Sequence, residues 1–161
     1  MKAMTLIIKN KGNAMKSVVK RSNLAFLILF FLLLFACTGP RIALYNETAY
    51  SNAVSLKVES LALMDKASDS ISAHVQEIST LETNIEKAYQ YVRWLPRNEL
   101  TVAQWEILKD PNRDLLGGFL KKWEKEKVLH VVFIKEKEKQ ISDAFDEILK
   151  LETGKNKPKD K

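Results

Sequence analysis

Cysteine, histidine, glycine and proline are all scarce in this chain, which has one Cys, two His, five Gly and four Pro in 161 residues. A lone thiol, Cys37, excludes an internal disulfide. With only His74 and His130 available, a transition-metal site would depend on carboxylates alone, so neither a metal nor a metal-dependent activity is expected. Both histidines are expected to be partly exposed helix residues. Gly117-Gly118 belongs to neither a dinucleotide fingerprint nor a P-loop, both of which need further glycines, or a lysine, at fixed spacing. No Gly-x-Ser-x-Gly elbow is present for a serine nucleophile. Acidic residues do abound, Glu77, Glu82, Glu86, Glu99 and Glu106 among them. They alternate with lysines or lie off the apolar stripe, and no two stand out as the facing pair that glycan cleavage requires. No catalytic residue and no cofactor motif emerges, and a non-enzymatic protein is the expectation.

The most informative feature present is an unbroken apolar run of thirteen residues, Leu24–Ala36, with Lys20-Arg21 before it and Cys37 directly behind. As a helix the run would extend about 20 Å, short of the ~30 Å hydrocarbon core of a bilayer. A basic segment, a short apolar segment and a small residue at its end are the parts of a secretory signal. Translation from Met15 would give a compact version of that signal.

The residues Leu34-Phe35-Ala36-Cys37 resemble the lipobox of bacterial lipoproteins: an aliphatic residue, two mostly small residues and cysteine. Phe35 is bulkier than the family's usual residue there. The resemblance covers only the precursor segment up to about Cys37. It implies a diacylglycerol on the Cys37 thiol, cleavage just before it, and an N-acyl chain such as palmitate on the new amino terminus. Two or more acyl chains anchor stably where one holds only marginally. In the family's sorting pattern an aspartate after the lipid cysteine retains the protein at the inner membrane; Thr38 stands there, which implies the outer membrane facing the periplasm. The outer leaflet of the inner membrane and the cell surface are the alternatives.

The formal net charge of +6 invites a nucleic-acid reading, but the excess lies in the targeting segment. Six of the 26 Lys and Arg precede Cys37, leaving 20 to face 20 Asp and Glu. Nucleic acid is therefore not an expected partner. Lys155–Lys161 carries four lysines, one aspartate and no apolar residue, and is expected to form a disordered basic tail.

The expected organisation is a signal peptide over 1–36, a tether over 37–44, a helical domain over 45–154 and the tail over 155–161. No glycine or proline falls between Arg41 and Leu95, which argues for helix. Tyr50, Val54, Leu61, Met64, Ile71, Val75, Ile78, Leu81, Ile85, Ala88 and Val92 recur at steps of three and four, one coiled-coil-like stripe. The weakest section, Lys66–Ser70, is where a bend or reversal near Ser68 would fall. Asn46 is read as a cap for the first helix, and the sequon it begins is discarded. Pro96 ends the long stretch, and Thr101-Val-Ala-Gln104 reads as a capping box for a short helix. Leu115, Leu116, Phe119, Leu120 and Trp123 share a face of the next helix. Val128–Ile134 is β-rich in composition, but the helical pattern continues from Val131 through Ile134, Ile141, Phe145 and Ile148.

The expected fold is therefore all-α: a long N-terminal helix with shorter helices packing back on it as an elongated hairpin or bundle. Unbroken from Tyr45 to Trp94, that first helix would reach about 75 Å against about 33 Å for the last. The uncovered part of its stripe would need a protein partner, a second copy or its own other half after a bend. Tyr89, Trp94, Trp105, Phe119 and Trp123 are expected to gather around the Pro96 turn, as a core clamp or as a pocket for a small apolar ligand. The function expected is that of a membrane-anchored envelope lipoprotein, a helical adaptor, spacer or assembly partner in the periplasm. The alternative is a periplasmic binding module for a small apolar ligand or peptide.

Overall fold

The Asn46 carboxamide accepts from the Ala49 amide at 2.9 Å, satisfying one of the orphan donors at a helix start and opening α1, Glu47–Met64. The computed structural model describes residues 43–155. The signal segment 1–36, Cys37, the tether as far as residue 42 and the tail from residue 156 lie outside the described residues.

The breaker-free stretch folds as two helices, α1 and α2 (Val75–Arg93), with a reversal between them at the weak section. Short polar side chains at Asp65, Ser68, Asp69 and Ser70 give the helix little reason to continue there. Lys66 and Ala67 make tight i→i−3 bonds to Leu63 and Met64, and a single 3-10 turn, Ile71–Ala73, follows. Distant backbone fastens the reversal: the Ile71 amide donates to the Lys127 carbonyl at 2.9 Å, and Leu129 to Ala67 at 2.8 Å. Absence of glycine and proline permits a helix but does not keep it straight.

Three more helices complete the body: α3, Glu99–Lys109; α4, Leu116–Glu126; and α5, Val131–Thr153. The fold is an all-α bundle in which α1 packs against α2 and α5, α3 bridges α5 and α2, and α4 rests on α3. The β-rich segment resolves as expected: the chain turns helical at Val131, and His130 caps the start, its Nδ1 accepting from the Val132 amide at 3.3 Å. Among the described residues no helix is long and apolar enough to cross a membrane.

The core joins Leu81, Ile85, Ala88 and Val92 of α2 to Leu116, Phe119, Leu120 and Trp123 of α4 and Ile134, Ile141, Phe145 and Ile148 of α5, the faces expected from periodicity. Each such large side chain contributes about 1.5–3 kcal/mol when fully buried. Helix α1 differs. Its buried face is Ala49, Ala53, Leu56, Ser60, Leu63 and Met64; of the expected stripe Met64 is fully buried, while Val54 is exposed and Tyr50 and Leu61 are half-buried. The expected stripe is turned by about one residue because small side chains let α1 approach its two neighbours closely. That seam is filled by α2 and α5, so no apolar stripe is left over from an overlong first helix.

Two further expectations are corrected. Helix α3 begins at Glu99, and Thr101 is not a cap: it is buried inside the helix, its hydroxyl donating to Glu152 Oε1 at 3.2 Å. Lys155, assigned to the tail, is buried in the body. Gly117-Gly118 lies where the start of α4 comes close to the end of α3 and the loop that follows it. A Cβ on Gly117 would run into the Lys109 carbonyl, and one on Gly118 into that of Arg113, so both positions exclude a side chain.

Candidate functional site

Cys37 and the cleavage residues Leu34, Phe35 and Ala36 fall outside the described residues. The five aromatic residues expected around the Pro96 turn are dispersed. Trp105 is fully buried against Phe145, edge-on with centroids 6.0 Å apart; Phe119 stacks on Phe133 at 6.1 Å; Trp123 packs against His74 at 5.6 Å. Trp94 joins none of them and is 83% exposed. It follows the last turn of α2, where Pro96 and Arg97 swing the chain away, and Arg97 adopts a left-handed backbone with φ 62°.

Tyr89 lines a cleft of about 500 Å³ between α2, α3 and α4, with Ile85, Leu116 and Leu120 as apolar walls. Its phenol donates to Glu106 Oε1 at 2.7 Å, and this bond, with burial, pushes the phenol above its usual range. The Lys109 ammonium lies 4.0 Å from the centre of the Tyr89 ring and pairs with Glu86 at 2.6 Å. Gln90 donating to Glu86, then Lys109, hold that carboxyl below its usual range. Past Glu82, Pro111 and Leu120 the cleft continues between α2 and α4 to Val75 and Ile78. With Tyr89, Glu86, Glu106 and Lys109 engaged with one another, the arrangement suits an apolar or amphipathic guest better than proton transfer.

A polar knot forms where α3 begins and α5 ends. Glu152 is fully buried and ion-paired with Lys155, itself buried; Lys155 also donates to Asn98 Oδ1, and Asn98 donates to the Val92 carbonyl at 2.8 Å. With Thr101 on Glu152, the knot joins the Pro96 turn to the last turn of α5. Asn98, Glu152 and Lys155 were not picked out from the sequence. The i, i+3 spacing of Glu152 and Lys155 is the one local hint; the other partners lie far back in the chain.

Tyr91 donates to Asn46 Oδ1 at 3.1 Å, so the start of α1 lies beside the end of α2 and the knot. One end of the bundle thus gathers the start of α1, the Pro96 turn, the start of α3 and the end of α5. At the opposite end the Trp123 indole donates to the Asp69 carbonyl at 3.2 Å, and His74 lies between Glu77, 3.0 Å away, and Asp69, 3.5 Å away. Lys66, then His74, lower the Glu77 carboxyl, and Lys135 lowers that of Asp65. Among the described residues no group of three His, Cys, Asp or Glu is placed to hold a metal ion.

No protein-family model, curated protein or solved structure matches the chain.

Proposed function

We propose that the chain is an exported, acyl-anchored lipoprotein whose helical body works as a non-enzymatic adaptor, spacer or assembly partner in the bacterial envelope, at the outer membrane facing the periplasm. The single observation that carries this reading is Cys37 set directly behind a signal-length apolar run with a basic flank. The fold is compatible with it. Helix α1 starts at Glu47, ten residues after Cys37, and a tether of that length spans at most about 35 Å, keeping the body close to the bilayer. A protein partner would meet the outer face of the first helix, where Val54 and Val58 are exposed one turn apart.

Replacing Cys37 by alanine is expected to leave an unprocessed precursor that incorporates no labelled fatty acid. Label retained in Cys37→Ala would overturn the assignment. A second reading, a periplasmic binding module, draws on the apolar cleft beside Tyr89. It expects an amphipathic molecule from envelope extracts to co-purify with the protein and to be lost in Leu120→Glu; purification with an empty cleft removes it.

A further inference from the structure

Apolar side chains are exposed at both ends of the bundle, Val75, Val128, Val131 and Val132 at the reversal end, but the end that carries the start of α1 exposes aromatic and leucine side chains together. Trp94 is 83% exposed, Leu100 74% and Leu44 61%, and Tyr91 is partly open beside them. Leu44 lies two residues before the Asn46 cap, Trp94 on the Pro96 turn and Leu100 in the first turn of α3, the three elements joined by Tyr91–Asn46 and by Asn98. Exposed Trp, Tyr and Leu flanked by arginines are the side chains that rest at the level of lipid headgroups, an apolar body inward and a polar edge outward.

We propose that this end docks on an anionic lipid surface, with Trp94 and Leu100 entering the headgroup layer. The inference builds on the export reading, in which the body lies beside a bilayer. Three observations select lipid as the occupant. Only six residue steps separate Cys37 from Ala43, a reach of at most about 21 Å, so an acyl chain on Cys37 would hold this end, rather than the Trp123 end, at the membrane. Arg93 and Arg97 are exposed and make no ion pair among the described residues, and the left-handed Arg97 holds a guanidinium where a glycine would be less strained. Glu47 and Glu99 are exposed carboxylates of the same end and offset the two arginines, so the further positive charge invoked is that of the sequence after Lys155. The knot holds Lys155 at this end, and Lys157, Lys159 and Lys161 follow it in sequence against a single Asp160.

The test uses the full chain in vesicles of phosphatidylethanolamine and phosphatidylglycerol with brominated acyl chains, which quench tryptophans in contact with lipid. Trp94 is the one tryptophan in reach, because Trp105 and Trp123 are fully buried. The expected result is a quenched, blue-shifted component that disappears in Trp94→Phe. It weakens when phosphatidylglycerol is omitted or when Lys157, Lys159 and Lys161 are changed together to glutamine. An unquenched Trp94 overturns the proposal, and so does quenching that persists in Trp94→Phe. A Trp94 shielded from aqueous iodide yet untouched by brominated lipid marks a protein contact at this end and also overturns it. The mass of the Cys37 peptide separates the two readings: acylated Cys37 with unquenched Trp94 defeats the docking alone, and unacylated Cys37 with quenched Trp94 defeats the anchor alone.

Discussion

The two ends of the bundle treat their polar and aromatic groups in opposite ways. At the end holding the α1–α2 reversal, Trp123 is fully buried, its indole bonded to the Asp69 carbonyl, while the charged side chains of Asp65, Lys66, Glu77 and Lys135 pair at the surface. At the end where α1 begins, Glu152 and Lys155 are buried and Trp94 and Leu100 are outside. Val75, Val128, Val131 and Val132 are exposed at the first end as well, so the difference lies in the exposed indole of Trp94 and the buried charges of the second, which read as a surface shaped for something other than water.

Substituting the two tryptophans breaks this comparison most forcefully. Trp123→Ala is expected to cost about 3–5 kcal/mol in urea unfolding, as removal of a buried indole does, and Trp94→Ala less than about 0.5 kcal/mol. Equal losses would mean that Trp94 is packed. Next comes the knot. Lys155→Met leaves Glu152 buried without its cation and should destabilise by roughly 3–5 kcal/mol, whereas Lys155→Met with Glu152→Leu should recover most of that loss. If the single substitution is silent, the buried pair is not formed.

That knot also shows why parts of this fold were legible and others were not. Helices α2, α4 and α5 bury large residues at regular steps, and the Leu81–Val92, Leu116–Trp123 and Ile134–Ile148 faces could be read from spacing. The seam of α1 uses Ala49, Ala53 and Ser60, which carry too little apolar area to register against Tyr50, Val54 and Leu61. Nothing in the local sequence separates Trp94 from Trp105 and Trp123: its exposure follows from the chain turning away at Pro96 and Arg97. Lys155 looked like the first residue of a tail because the lysines after it do; its burial depends on Asn98 and Thr101, which only the folded chain brings near. Asn46 was legible because a cap is a contact over three residues.

Backbone relief sharpens the comparison further. Arg97 and Lys127, one at each end, both hold positive φ. Glycine at either position should stabilise by about 1 kcal/mol, measured by thermal unfolding. Only Arg97→Gly is expected also to lower affinity for anionic vesicles, because Arg97 alone of the two stands at the docking end.

The smallest effect is the response to pH at the reversal end. Glu77 and Asp65 have lowered folded-state values, so their contribution is present above the ordinary carboxylate range and is lost as pH falls through the folded values. Lys135, pushed up to about 12 by Asp65 and then Glu138, contributes fully below 10.5 and loses its contribution as pH rises through about 12. These groups are solvent-exposed, so the change should be slight. Hydrogen exchange of amides 65–74 would register it as faster opening in acid.

The neighbouring positions of the start of α1 and the end of α5 carry a mechanical consequence. Helices α1 and α5 run antiparallel, with residues 43 and 155 at one end and the Lys57–Asp146 pair farther along the seam. Tension applied between those residues would part the two helices like a zipper, one turn after another, instead of loading all their contacts in shear. Under such a pull the body would yield gradually at low force, a compliant joint more than a rigid strut.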